Sequence, residues 1–298
     1  MSLQRILRHF DTNGIMYKTD VKVAELVSFK VGGVVSVVVY PKSINQLMII
    51  LRLVKNEKHY ILGKGTNCYF KDGIYEGFVV VTAFLRHITA DFDTITALCG
   101  DTCFEICRFA RERALSGIEF AYGIPGTLGG AIAMNASAFG SSFSDVVLDS
   151  TVYDYESDTV ITITAAEHNF DTKKSVFSDR NYCLLQSRIK LNFAEKDSIA
   201  SKMRENLEKR IKSQPLDMPS AGSTFVKPKD TYASYMIDKC GLKGVSVGGA
   251  AVSTKHAGFI VNTGCATASD VQKLIIIIKQ KVLECFNVEL KEEIILID

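Results

Sequence analysis

The 298-residue chain has no excess of charge: 35 Lys and Arg stand against 33 Asp and Glu, a formal net charge of +2. That balance removes the general electrostatic pull that draws basic proteins to nucleic acid or anionic lipid. Long apolar runs are missing as well. The aliphatic block at residues 274–278 stops at Lys279, far short of the roughly 20 residues a membrane span needs. Residues 1–9 carry Arg5 and Arg8 where a secretory leader needs an apolar block, so no leader is expected. Low-complexity tracts and fixed-period repeats are absent, and the composition excludes disorder, collagen and coiled coil. The eight cysteines are scattered rather than packed as in a small secreted scaffold. They read as reduced thiols of a cytosolic protein.

What is present is an ordinary globular composition, 47% hydrophobic and 23% charged. A chain of this length makes about two domains and buries about 75% of its unfolded surface without needing disulfides or metal. Residues 31–40 are valine-rich and close at Pro41, which predicts a buried strand. Residues 44–53 place apolar side chains at helical spacing behind Ser43, a capping residue. Strands follow at 59–62 and 68–70, then at 78–82 and 94–99, with a helix over 102–114. Further strands are expected at 147–155, 160–164 and 182–193. A helix over 198–211 carries the stripe Ile199, Met203, Leu207, Ile211, and another over 269–286 is capped by Ser269 or Asp270. Residues 288–297 alternate as a strand. The class is α+β, divided into lobes at 1–80, 81–197 and 198–287, with the strand at 288–298 returning near the active site.

Two glycine-rich segments stand out. Gly63-Lys64-Gly65-Thr66-Asn67 follows a strand, and closely spaced glycines let successive N–H groups turn toward one anion. It is not the dinucleotide fingerprint, because Cys68 occupies the sixth position and strand-like residues follow. A phosphate cradle and a plain tight hairpin fit it equally. The second segment, Gly123-Ile124-Pro125-Gly126-Thr127-Leu128-Gly129-Gly130 continuing to Asn135-Ala136, offers a fixed backbone with little bulk, which a flat cofactor or a pyrophosphate can approach.

Ser223 follows a glycine in a proline-bounded stretch without a Gly-x-Ser-x-Gly elbow, so its own surroundings favour a turn over a nucleophile. Cys99, Cys103 and Cys107 lack the partners of a zinc or cluster site and read as packing thiols, so no metal is expected. His256 reads as a hydrogen-bonded structural residue. The basic run at Lys202, Arg204, Lys209, Arg210 and Lys212 is interleaved with glutamates and reads as a solvated helix face, from which a member could reach an acidic ligand.

Taken in order, these motifs resemble the UDP-N-acetylenolpyruvoylglucosamine reductase family. Gly63 to Asn67, Gly123 to Ala136, Ser220-Ala221-Gly222-Ser223-Thr224-Phe225 and Lys255-His256-Ala257-Gly258-Phe259 carry the likeness, with Ser28-Phe29-Lys30-Val31-Gly32-Gly33 near the start and Leu290-Lys291-Glu292-Glu293-Ile294 near the end. The likeness spans nearly the whole chain, and the spacing is that of the shorter, type II-like form. It implies a two-lobe FAD-binding module of the vanillyl-alcohol-oxidase type plus an α+β substrate domain. It also implies FAD, NADPH as reductant, and UDP-N-acetylglucosamine enolpyruvate reduced to UDP-N-acetylmuramate. No nucleic-acid or membrane partner is expected; the oligomeric state is left open, a monomer being compatible with the sequence.

The resemblance implies roles residue by residue. Ser223 matches the proton donor and Glu293 the carboxyl-terminal glutamate that helps stabilise the enolate. The flavin falls to Gly63, Lys64, Gly65, Thr66, Asn67, Gly123, Ile124, Pro125, Gly126, Gly129, Gly130, Asn135 and Ala136. Thr172-Lys173-Lys174-Ser175-Val176-Phe177 stands where the family has Tyr-Arg-x-Ser-x-Phe, so Lys173 takes the cationic place without arginine's planar fork. Phe225-Val226-Lys227-Pro228 replaces Phe-Lys-Asn-Pro. Lys227 and Arg210 are expected at the substrate's acidic groups. Strand alternation puts Glu292 and Glu293 on opposite faces and does not choose between them; family spacing selects Glu293. Two alternatives stay open: a flavin-binding paralogue with an altered substrate, and a nucleotide-sugar-binding module without cofactor.

Overall fold

The computed structural model describes residues 1–179, 181–229 and 231–298. Its helices are α1 (Leu3–Thr12), α2 (Ile44–Val54), α3 (Cys103–Glu112), α4 (Leu128–Ala133), α5 (Lys196–Ser213), α6 (Ala233–Lys239) and α7 (Ala268–Phe286). Together with strands in several sheets they make the α+β fold expected from the sequence.

Local chemistry accounts for the helix starts. The Ser43 hydroxyl accepts the Gln46 N–H at 3.2 Å to cap α2. Thr102 and Glu105 form a reciprocal capping box on α3, which satisfies two backbone donors that would otherwise be orphaned. The cap of α7 is Thr267, whose side chain accepts from Asp270 N, rather than Ser269 or Asp270.

Contacts group the chain into two units, each built from three segments. The first comprises residues 1–19, 37–64 and 77–209, and the second residues 20–36, 65–76 and 210–298. In the first, a five-stranded antiparallel sheet runs in the order Thr159–Thr164, Val147–Asp154, Tyr182–Lys190, Thr94–Leu98, Ile88–Asp91. The strand His59–Leu62 pairs parallel to Ile74–Val81 through residues 78–81. In the second, Ser220–Ser223, Phe259–Asn262, Ala250–Val252 and Ser246–Val247 form a four-stranded antiparallel sheet, and Ile295–Ile297 pairs parallel to Cys68–Phe70. Each unit has its own core, one around Leu47, Ile106 and Phe143, the other around Phe29, Ile237 and Leu274.

Two sequence expectations fail for geometric reasons. The α5 stripe buries Ile199, Met203, Asn206 and Arg210, while Ile211 is 52% exposed. A four-residue step overshoots the helical turn by about 40°, so three steps carry Ile211 roughly 120° away from Ile199. The strand expected over residues 288–297 is confined to Ile295–Ile297. Residues 291–294 are irregular apart from an isolated bridge between Phe225 and Glu292, so strand alternation does not govern Glu292 and Glu293.

Candidate functional site

In the first unit the two glycine-rich segments meet. A Cβ on Gly63 would lie 2.3 Å from Thr127 Oγ1, so glycine is required for the loop after His59–Leu62 to approach the one before α4. The second loop is laid on the turn leading into α3. Leu128 N–H donates to Asp101 O at 2.8 Å, Gly129 N–H to Cys99 O at 2.9 Å, and Cys103 N–H to Gly126 O at 3.3 Å. A Cβ on Gly129 would stand 3.2 Å from the Cys99 backbone and side chain. Gly123 adopts φ +88°, a conformation glycine takes without strain. Pro125, Gly130 and Lys64 are exposed, and Ile124 and Gly126 are half-buried.

Within this surface Thr127 is only 1% exposed, and its hydroxyl has no hydrogen-bond partner among the described residues. A buried hydroxyl without a partner costs about 1–3 kcal/mol. No local sequence feature marks this hydroxyl, because its isolation is a matter of packing against residues far along the chain.

Asn135, at φ +40°, spends its side chain on the protein: Nδ2 donates to Asp171 O at 3.2 Å and Oδ1 accepts from Ser144 N at 3.0 Å. Ala136 N–H donates to Ala131 O at 2.8 Å, closing α4. Lys173 sits at φ +58° in a tight turn closed by Asp171 and Lys174. Ser175 Oγ anchors the turn by donating to Ala133 O at 2.8 Å. Burial disfavours the thiolate form of the buried cysteines. Burial, followed by the Asp101 charge, pushes Cys99 up to about 12, and burial also raises Cys107 and Cys183.

The second unit holds Gly65, Thr66, Asn67, Ser223 and Glu293. Gly65, at φ +61°, leaves no room for a Cβ, which would fall 2.5 Å from Leu26 O. Ser28 binds this loop to the strand that ends at Ser223. Its N–H and hydroxyl reach Gly65 O at 2.9 and 3.3 Å, and the hydroxyl also lies 2.7 Å from Ser220 O.

Ser223 stands on an edge strand, not in a free turn. Ser220 pairs with Val261 and Ser223 with Phe259, so the strand carries one extra residue, a bulge at Ala221–Gly222 with Gly222 at φ +84°. Bulges re-aim side chains and cluster beside active sites. The next residue, Thr224, is buried; its N–H donates to Gly258 O at 2.8 Å and its hydroxyl accepts Ile260 N–H at 3.2 Å. Its carbonyl accepts the Glu293 N–H at 2.8 Å. The two residues given catalytic roles are thus carried on hydrogen-bonded neighbouring backbones. Glu292, by contrast, forms an ion pair with Lys279 at 3.2 Å on the outer surface of α7. Glu293 is the half-buried member of the pair.

The remaining expectations fall in varied places. Lys227 is exposed, with its ammonium 4.4 Å from the Tyr232 ring centroid. Arg210 is 8% exposed, contrary to the solvated face read from the sequence, and its Nη1 donates to Gln214 Oε1 at 3.4 Å. His256 is structural: its Nδ1 accepts Gly258 N–H at 3.1 Å, and burial lowers its pKa. Among the described residues no cluster could hold a metal ion, and no helix is long and apolar enough to cross a membrane.

Comparison with known proteins gives consistent matches. Residues 35–164 match an FAD binding domain, and residues 214–297 match the C-terminal domain of UDP-N-acetylenolpyruvoylglucosamine reductase. The chain is 43% identical to the UDP-N-acetylenolpyruvoylglucosamine reductase of Pseudothermotoga lettingae, over 90% of this chain and 93% of that one. It is 39% identical to the protein of the same name from Clostridioides difficile, over 94% of each. The crystal structure of UDP-N-acetylenolpyruvylglucosamine reductase from Thermus caldophilus superposes with a TM-score of 0.79 at 26% identity, covering 95% of this chain and 99% of that one.

Proposed function

The chain belongs to the UDP-N-acetylenolpyruvoylglucosamine reductase family, FAD-dependent oxidoreductases of peptidoglycan precursor synthesis; from that premise we propose which of its residues carry the reaction. The substrates are UDP-N-acetylglucosamine enolpyruvate and NADPH, and the product is UDP-N-acetylmuramate. The reading is supported chiefly by the 2.8 Å bond from Glu293 N–H to Thr224 O, which ties the glutamate to the residue after Ser223.

The residues of the first unit fit the flavin. A Cβ-free Gly63 beside the orphaned Thr127 hydroxyl makes a cradle lined by backbone, as close approach of a pyrophosphate or an isoalloxazine edge requires. Gly123, Ile124, Pro125, Gly126, Gly129 and Gly130 would hold it there, with Thr127 supplying a polar contact. FAD held there would supply the hydride-transfer chemistry that links NADPH to the enolpyruvyl double bond.

The protein's part is to manage the charge and the proton. Hydride addition to the terminal carbon builds negative charge on the carbon beside the substrate carboxylate. Ser223 donates the proton that this carbon needs, a general-acid step. Glu293 acts there as a neutral acid or as the group that orients a donor, since a bare carboxylate would oppose the developing charge. Lys173 supplies a positive charge for the carboxylate in place of the family's arginine, and Lys227 and Arg210 serve the acidic groups of the nucleotide. The functional division is that residues 1–80 and 81–197 serve the flavin, Lys173 excepted, and residues 198–287 the substrate. The cytoplasm, where UDP-sugars and NADPH occur, suits eight free cysteines. Loss of the activity would affect cell shape and division.

The test is the visible spectrum of the purified protein, followed by two half-reactions. A bound flavin bleached by NADPH and restored by UDP-N-acetylglucosamine enolpyruvate is the expected result. Flavin that is reduced but not restored by that substrate would point to a different acceptor. A colourless protein that refuses added FAD would overturn the reading.

A further inference from the structure

The sequence offers Asn67 as the end of a phosphate-cradling loop, but its side chain has another occupation. Asn67 Nδ2 donates to the carbonyl of Glu293 at 3.1 Å, and the Asn67 carbonyl accepts the Ile295 N–H at 2.9 Å. The parallel pairing of Cys68–Phe70 with Ile295–Ile297 begins one residue further along on the Asn67 side. The asparagine side chain therefore stands in for the next rung of that ladder, where the chain carrying Glu293 is no longer a strand. The other polar backbone group of Glu293, its N–H, donates to Thr224 O at 2.8 Å.

Both backbone groups of Glu293 are thus fixed, one by the residue after Ser223 and one by Asn67. A side chain on an irregular segment keeps its direction only if its backbone is held, and a displacement near 1 Å costs reactions of this kind about 10²-fold. We propose that Asn67 is a positioning residue for Glu293, holding the carboxyl group where Ser223 delivers its proton, and that its side chain is not a flavin ligand. The proposal rests on the catalytic role given to Glu293 above.

The experiment is a double-mutant cycle on the FAD-loaded protein, reading the rate at which UDP-N-acetylglucosamine enolpyruvate reoxidises NADPH-reduced flavin at saturating substrate. Asn67→Ala is expected to keep its flavin through purification and to slow reoxidation about 10-fold. In a Glu293→Gln background the same change should slow it less than about twofold, because the residue it positions has already lost its function. Asn67→Asp, which keeps the shape but lacks the donor, replaces Asn67→Ala if the alanine protein shows no cooperative melting transition. Equal slowing in both backgrounds would overturn the proposal, as would an unchanged rate. Loss of flavin from a folded variant would also overturn it and return Asn67 to the cofactor. A wild-type rate in Glu293→Gln alone is a separate failure: it would remove the glutamate from the mechanism, and this proposal with it.

Discussion

The two units prepare for chemistry in opposite ways. The first works by omission. It strips side chains from the approach between Gly63 and Thr127 and leaves one buried hydroxyl without a partner. The second works by restraint. It sets a serine on a bulged edge strand and a glutamate on an irregular segment, then fixes both through backbone hydrogen bonds. A surface made of backbone suits a large, flat, tightly held group, whereas proton delivery needs a few atoms held still. Substitutions in the glycine-rich segments of the first unit should therefore change flavin retention, and those at Ser223 and Glu293 in the second should change turnover with flavin kept.

The most severe break expected is Ser223→Ala. Reduction of the flavin by NADPH should persist while reoxidation by the enolpyruvyl substrate slows about 10²-fold or more, the usual scale for a lost general acid, measured by stopped-flow absorbance. Unchanged reoxidation would remove Ser223 from proton delivery. Next is Thr127→Val, which deletes the orphaned hydroxyl at constant shape. Flavin affinity should fall about 10-fold, the worth of one net hydrogen bond, while the flavin-free protein melts no lower than wild type because an unsatisfied group has gone. Fluorescence titration and thermal melting read the two effects separately.

Lys173→Arg sharpens the comparison from inside the first unit. Its turn is held by Ser175 and by the Asn135 contact with Asp171, so the substitution should leave flavin content untouched. Turnover should stay within about threefold of wild type or rise, since the guanidinium can grip a carboxylate with two hydrogen bonds. Complete loss of activity would mean that the turn is adapted to an ammonium group.

The smallest effect concerns pH. His168 is fully buried, with Nε2 2.8 Å from Ser150 Oγ, Nδ1 2.8 Å from Thr164 O, and Ser187 completing the cluster. Burial lowers its pKa below the ordinary 6.5, as it does for His256. Below about pH 6.5 the unfolded chain takes up protons that the native imidazoles refuse, so stability is full above that range and falls as pH drops. Urea unfolding at pH 7.5 and 5.5 should show the loss, and His168→Gln should flatten part of it. No loss between those pH values would contradict the assignment.

What the sequence made legible follows from how local each determinant is. Helix α2 and its Ser43 cap were readable because every group involved lies within a few residues. The strand Met16–Lys22 was not, because it buries only Val21 and shows no apolar alternation. A strict four-residue stripe on α5 drifts off the buried face by one residue, whereas the 3.6-residue period places Arg210 on it. Ser223 and Glu293 are singled out by the order of motifs, not by local chemistry. Their shared feature, a hydrogen bond between residues 224 and 293, has no trace in either local stretch. The solitude of the Thr127 hydroxyl is equally invisible, since it depends on what Gly63 lacks.

The interleaving of the two units sets a schedule for biosynthesis. The second unit needs residues 20–36 and 65–76, which leave the ribosome early, and residues 210–298, which leave much later. Phe29 and Val31 are fully buried in a core that includes Leu274, Ile278 and Leu290. On a growing chain these early apolar side chains wait on the order of ten seconds while residues 77–209 are made. A nascent chain that still lacks residues 210–298 therefore exposes apolar side chains that the finished unit buries, which makes it a natural client for chaperones.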